Sequence, residues 1–239
     1  MYDFEYKRAA TNTEATDLYS ESEDPRFLAG GMTLIPVLKQ RLDQPTNLID
    51  LADISELKGI TLEGNNIIIK AMTTHHAVSA SEIILDKIPA LAHLASTIGD
   101  QMVRNRGTIG GSLANSDPAA SYPSAVLSLN ATVKTDKREI AADDFFTGMF
   151  DTALDDGELI IAVSFPIPEK AGYMHFPNPA SRYPIVGSFV TKSANIVRVA
   201  ITGAGPCAYR IPEFEAALSS NFAPEAIKDI KISDDGLNS

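Results

Sequence analysis

Two glycine pairs are the residues of this chain best suited to hold a ligand. The first lies in Ala29-Gly30-Gly31-Met32-Thr33-Leu34, the second in Arg106-Gly107-Thr108-Ile109-Gly110-Gly111-Ser112. Glycine has no Cβ, so the backbone reaches positive φ and a ligand can approach it closely. Successive amides turned to one side make a concave anion site, and the hydroxyl of Thr33 or Ser112 adds a donor. One such pair is equally well a plain turn. Two of them, far apart in the chain, suggest one extended anion gripped from two sides, and a dinucleotide pyrophosphate suits that arrangement.

Other chemistry finds little support. No Gly-x-Gly-x-x-Gly fingerprint follows a strand, and there is no Walker A loop. The four histidines, His75, His76, His93 and His175, have no metal-ligand spacing. Neighbouring His75 and His76 point apart in any regular element and are expected at the surface or in a loop. No nucleophile elbow is present. The single Cys207 forms no internal disulfide, iron–sulfur site or zinc thiolate. Neither a catalytic residue nor a metal ligand is therefore assigned. A net charge of −11 argues against nucleic acid as a partner. There is no Trp, so ring stacking falls to Tyr, Phe or aliphatic groups. No 20-residue apolar run suggests a membrane span. The acidic, aromatic start Met1-Tyr2-Asp3-Phe4-Glu5-Tyr6 is unlike a signal peptide, so the expected location is the cytoplasm.

The elements that must position the glycine loops follow from periodicity and turn residues. A helix is expected over 14–22, a strand over 27–29, a helix over 34–42 with Pro36 in its first turn, and a strand over 47–51. Together these make a small βαβ-like unit that aims the first glycine pair and a helix N-terminus at one spot. A hairpin turns at Asn65-Asn66 between 59–62 and 67–72. Helices are expected over 76–86, 89–99 and 118–129, and strands over 131–135 and 158–163. Pro166 and Pro168 mark a boundary. Beyond it, 173–176, 185–192 and 196–203 suggest an antiparallel sheet, 212–219 and 223–228 suggest helices, and 232–239 is polar.

The motifs Ala29-Gly30-Gly31-Met32-Thr33-Leu34-Ile35-Pro36, Leu48-Ile49-Asp50-Leu51 and 104–120, which begins Arg104-Asn105-Arg106-Gly107-Thr108-Ile109-Gly110-Gly111, closely resemble the FAD-binding (medium) subunit of molybdenum hydroxylases. This is the carbon monoxide dehydrogenase and xanthine dehydrogenase family, and the resemblance covers nearly the whole chain. It implies an α+β fold: a two-subdomain FAD-binding fold of the PCMH type over 1–168, with subdomains of about 1–55 and 56–168. A small α+β C-terminal domain follows over 169–239; relatives run further, so this domain is expected to be truncated. It also implies which residues touch FAD: Ala29, Gly30, Gly31, Met32, Thr33 and Leu34 with Pro36 in the first loop, Thr108, Ile109, Gly110, Gly111 and Ser112 in the second, and Gly99 and Ile160 beside them.

Two positions depart from the family pattern. Ser121 stands where relatives usually carry an acid that helps hold the cofactor. His175 stands where they often carry Lys; it is either a pH-dependent charge near the flavin or an ordinary strand histidine. Arg104 and Arg106 flank the second loop, either facing an iron–sulfur partner or satisfying local carbonyls or the FAD phosphate. The implied function is electron transfer: an FAD-binding oxidoreductase subunit that takes electrons from the [2Fe–2S] clusters of a small subunit and passes them to an external acceptor. A large subunit carrying the molybdenum cofactor completes the hetero-oligomer. The alternatives are a free-standing flavin-dependent reductase of the same fold and a flavin-free interaction subunit.

Overall fold

A computed structural model describes residues 1–233, 236 and 237. Asp234, Asp235, Asn238 and Ser239 of the polar C-terminal stretch lie outside the described residues.

The chain opens with β1 (Glu5–Arg8), α1 (Asn12–Ser20), β2 (Pro25–Leu28), α2 (Leu34–Lys39) and β3 (Asn47–Asp50). The three strands form a parallel sheet in the order β1-β3-β2. β1 was not expected, because its charged residues Glu5, Lys7 and Arg8 hide any apolar alternation. The N-terminus of α1 is capped on both sides. Thr11 accepts from the Glu14 N–H at 3.1 Å, and the Glu14 carboxylate accepts from the Ala10 N–H at 2.7 Å. β3 is buried along its length, and Ile49, Leu51, Ile54 and Leu57 build a core that also takes in Met72 and Leu159. Through those last two residues the first sheet is packed onto the next.

The central part comprises β4 (Ile60–Glu63), β5 (Asn66–Lys70), α3 (His75–Ala80), α4 (Glu82–Lys87), α5 (Pro89–Thr97), α6 (Gln101–Arg106), α7 (Ile109–Asn115), α8 (Tyr122–Ser128), β6 (Thr132–Thr135), β7 (Glu139–Ala141), α9 (Ala142–Phe145), β8 (Phe146–Gly148), β9 (Asp151–Thr152) and β10 (Ile160–Pro166). Five strands form an antiparallel sheet in the order β4-β5-β10-β6-β7. The β4–β5 hairpin turns at Gly64-Asn65, one residue earlier than expected, because Gly64 supplies the required positive φ of 59°. The helix expected over 76–86 is two helices broken at Ser81, whose hydroxyl caps α4 by accepting from the Ile84 N–H. The helix expected from Pro118 begins at Tyr122. The preceding turn is held by Asp117, which accepts from the Ala119 N–H at 2.8 Å.

The C-terminal part contains β11 (Lys170–Pro177), β12 (Pro184–Ser193), β13 (Ile196–Thr202), β14 (Tyr209–Arg210) and α10 (Pro212–Ser220). The strands form an antiparallel sheet in sequence order. Residues 224–226 form a single 3₁₀ turn where a second helix was expected. The molecule is α+β. Its largest core runs through the central sheet and α5, α7 and α8 and includes Tyr173, Phe189, Ala200 and Ala208 of the C-terminal part. A buried polar lock joins α8 to the C-terminal sheet: Thr191 donates to the Ser128 carbonyl at 2.6 Å, and the Ser128 hydroxyl donates to the Arg198 carbonyl at 3.0 Å.

Candidate functional site

The first glycine loop leaves β2 and enters α2. Gly31 takes a φ of +73°, a backbone region that costs most residues energy. Gly30 crosses directly over the second loop, and a Cβ there would lie 2.0 Å from the Arg106 carbonyl oxygen. The N–H groups of Gly30, Gly31, Met32, Thr33 and Leu34 donate to no acceptor among the described residues. Thr33 sits at the N-cap of α2, yet its side chain makes no capping hydrogen bond. This loop therefore presents a run of unfilled donors.

The second loop is built differently. Asp100 caps α6 by accepting from the Val103 N–H at 2.9 Å, and Thr108 caps α7 by accepting from the Gly111 N–H at 3.2 Å. The Ile109 N–H donates to Thr73 at 3.1 Å, that of Gly110 to Ala71 at 2.9 Å, and that of Ser112 to Thr108 at 3.0 Å. The amides of this loop are thus largely consumed within the protein. An anion gripped by amides from both sides is not what the geometry offers. The unfilled amides belong to the first loop, while the second presents backbone whose N–H groups are largely bonded. Gly110 is fitted against β5, where a Cβ would meet the Ala71 Cβ at 2.7 Å, and Gly111 faces Ala29.

Both loops line one cavity of about 840 Å³. Of the residues singled out from the sequence, Ala29, Gly30, Gly31, Met32, Thr33, Leu34, Gly99, Thr108, Gly110, Gly111, Ser112, Ser121 and Ile160 line it. Pro36, Ile109 and His175 do not. Pro36 lies exposed in α2, and Ile109 is wholly buried in the core beneath α7. His175 stacks on Tyr173 in β11, with ring centroids 5.4 Å apart. Its pKa is lowered by burial and by the nearby His93, and it stands outside the cavity lining.

Charge around the cavity is mostly spent. Arg26 is held by Asp24 at 2.5 Å and Asp43 at 3.1 Å. Glu158 binds Arg138 through both oxygens, at 3.0 and 2.9 Å; that guanidinium holds its pKa down to about 2. Arg104 donates to the Ile98 and Gly99 carbonyls at 3.1 and 2.8 Å, so it satisfies local backbone. Arg106 has an exposed side chain without an ion pair among the described residues. Arg182 lines the cavity as well, on the tight 178–183 connection between β11 and β12.

Four further lining residues are not among those singled out as cofactor contacts from the sequence: Phe27, His75, Arg182 and Tyr183. Burial and the Asp117 charge raise the pKa of the Tyr183 hydroxyl. His75 corrects the surface expectation. It is buried while His76 is exposed, and burial together with the Arg104 charge lowers its pKa to about 4. Only the exact start of α3 determines which of the two histidines turns inward.

A dinucleotide fits this site on two observations. The free amides of the first loop offer donors to a diphosphate without needing a cation, and the volume is at the upper end of the usual ligand-pocket range of roughly 300–1,000 Å³.

Comparison with known proteins agrees with this geometry. Residues 2–168 match the family described as FAD binding domain in molybdopterin dehydrogenase. The carbon monoxide dehydrogenase medium chain of Afipia carboxidovorans is 37% identical over 199 residues, which is 81% of this chain and 68% of the relative. The nicotine 6-hydroxylase medium subunit of Paenarthrobacter nicotinovorans is 34% identical over 231 residues, 92% of this chain and 82% of the relative. Among solved structures, carbon monoxide dehydrogenase from Hydrogenophaga pseudoflava superposes with a TM-score of 0.89 at 34% identity, covering 95% of this chain and 84% of that one.

Proposed function

The chain belongs to the family of FAD-binding domains of molybdopterin dehydrogenases, and from that premise we propose that it is the electron-transfer subunit of a multi-subunit molybdenum dehydrogenase. The observation that carries this reading is the run of unfilled amides from Gly30 to Leu34 on the wall of a dinucleotide-sized cavity. In this reading, the first loop holds the FAD pyrophosphate. Thr108, Gly110, Gly111 and Ser112 let the cofactor lie close to the backbone. Gly99, Ser121 and Ile160 complete the walls, and Phe27 and Tyr183 supply the aromatic surface that the absence of Trp leaves to other residues. Ser121 is neutral and buried, so cofactor polar groups near it meet a hydroxyl.

FAD, when bound, supplies the one- and two-electron redox chemistry; the protein binds it, orients it and tunes its potential. The electrons come from an iron–sulfur small subunit, fed by a large subunit that carries the molybdenum cofactor, and leave to an external acceptor in the cytoplasm. Nicotine 6-hydroxylase and carbon monoxide dehydrogenase, whose medium chains resemble this one, act on unrelated substrates. The substrate therefore resides with the large subunit. Arg106, without an ion pair among the described residues, is the cation beside the second loop that this reading gives to the iron–sulfur subunit. Residues 1–168 supply most of the cofactor-binding walls, and the C-terminal part over 169–239 adds Arg182 and Tyr183; no helix among the described residues is long and apolar enough to cross a membrane.

The test is flavin retention. The purified chain is mixed with FAD, FMN or ADP, desalted, and its absorbance recorded. The reading expects flavin bands with FAD, much weaker retention of FMN, and competition by ADP. Equal retention of FMN and FAD would remove the diphosphate from the argument.

A further inference from the structure

One cavity-lining group has no part in the reading above. His75 is the first residue of α3, 5% exposed, with its backbone N–H donating to the Gly107 carbonyl at 2.9 Å. Its ring packs against Tyr122 with centroids 5.4 Å apart. The two ring nitrogens are in different situations. Nδ1 is sealed from solvent and has no hydrogen-bond partner among the described residues. Nε2 is not sealed in this way, and it lies on the ring edge that faces Gly107. A Cβ on Gly107 would meet Nε2 at 2.6 Å and Cδ2 at 2.9 Å. The glycine therefore leaves that edge uncovered at the second loop, where His75 and Gly107 both line the cavity.

A neutral imidazole carries one proton. A buried N–H with no acceptor costs more than a buried lone pair with no donor, so the sealed Nδ1 keeps the lone pair and Nε2 carries the hydrogen. We propose that His75 is a neutral hydrogen-bond donor to the cofactor, presenting Nε2–H toward the cavity past the gap left by Gly107. This rests on the cavity being the FAD site. The charged and titratable groups against the ring are Arg104 and Tyr122; neither is an anion that would draw a second proton onto it. The donor is thus directional without adding positive charge, and it suits an oxygen or ring-nitrogen acceptor.

The experiment is long-range ¹H–¹⁵N correlation on the chain labelled at its imidazoles, at pH 7, before and after FAD. The expected result is a pyrrole-type Nε2 and a pyridine-type Nδ1 for His75, with the Nε2 resonance moving when FAD is added and His76 unmoved. His75→Phe, and separately Gly107→Ala, should weaken FAD binding about tenfold, the loss of one hydrogen bond, with far-ultraviolet circular dichroism unchanged. His75→Gln, which restores an N–H, should recover part of it. A proton on Nδ1, or an Nε2 signal unmoved while absorbance shows the flavin bound, overturns the proposal. Absorbance that shows no FAD bound at all overturns the functional reading first and this proposal with it.

Discussion

At the residue scale, steric and electrostatic requirements make separable predictions. Gly30 is demanded by a backbone crossing, since a Cβ there would lie 2.0 Å from the Arg106 carbonyl oxygen, whereas a Cβ on Gly172 would meet nothing within 4 Å. Gly30→Ala should therefore cost about 1–3 kcal/mol by overpacking and lower Tm by several degrees, while Gly172→Ala leaves Tm nearly unchanged. Calorimetry of both variants checks this, and equal behaviour would mean that the two loops are not in contact. His75 predicts a pH effect. Its folded pKa is about 4 against an ordinary 6.5. The folded state thus disfavours the proton, and the unfolded chain binds more of it between those values. Stability is intact above about pH 6.5 and falls as pH drops toward 4, by at most about 3 kcal/mol from this group. His75→Gln should flatten that part of the curve in denaturant titrations. An unchanged acid slope would show that the imidazole is not buried as described.

At the element scale, α7 is the helix on which the site turns. Thr108 is its cap, accepting from the Gly111 N–H at 3.2 Å. Thr108→Ala should cost about 1 kcal/mol, and Thr108→Ser should recover most of it; chemical denaturation of the pair decides the point. This region also shows where sequence reasoning stops. The strands of the C-terminal sheet were legible because Tyr173, Phe189 and Val199 sit in alternating or apolar runs that a half-buried strand requires. The first loop was legible because strand, glycine pair and helix follow one another within a few residues. α6 and α7 were not. Their six and seven residues are too short for a helical period to emerge, and glycines at 107, 110 and 111 resemble turn residues. Consequently the second glycine pair looked like an open amide cradle, when Gly110 and Gly111 lie inside a helix and their N–H groups are already bonded. Phe27, His75 and Tyr183 escaped for another reason: which side of an element faces a cavity depends on packing between distant segments.

At the scale of the whole molecule, the chain reads in sequence as a cofactor-binding part and a C-terminal part, and the family match ends at residue 168. The packing joins them. Tyr173, Phe189, Ala200 and Ala208 belong to the same core as Ile69, Leu91, Tyr122 and Val163, and the Thr191–Ser128 lock is buried at that junction. The 178–183 connection, which brings Arg182 and Tyr183 to the cavity, is also contributed from beyond residue 168. Cutting the chain there would expose the apolar faces of α5 and α8 and strand the Ser128 carbonyl and hydroxyl without partners. A domain's net stability is only about 5–15 kcal/mol. Losing one wall of its main core removes an amount of the same order, at roughly 25 cal/mol per Å² of apolar surface re-exposed. A fragment of residues 1–168 should therefore lack a cooperative thermal transition, bind a hydrophobic dye and retain no FAD, whereas the 239-residue chain melts cooperatively. If the fragment unfolds cooperatively and keeps the flavin, the shared core is dispensable, and the cofactor-binding part folds as an independent unit whose ligand does not need the 178–183 connection.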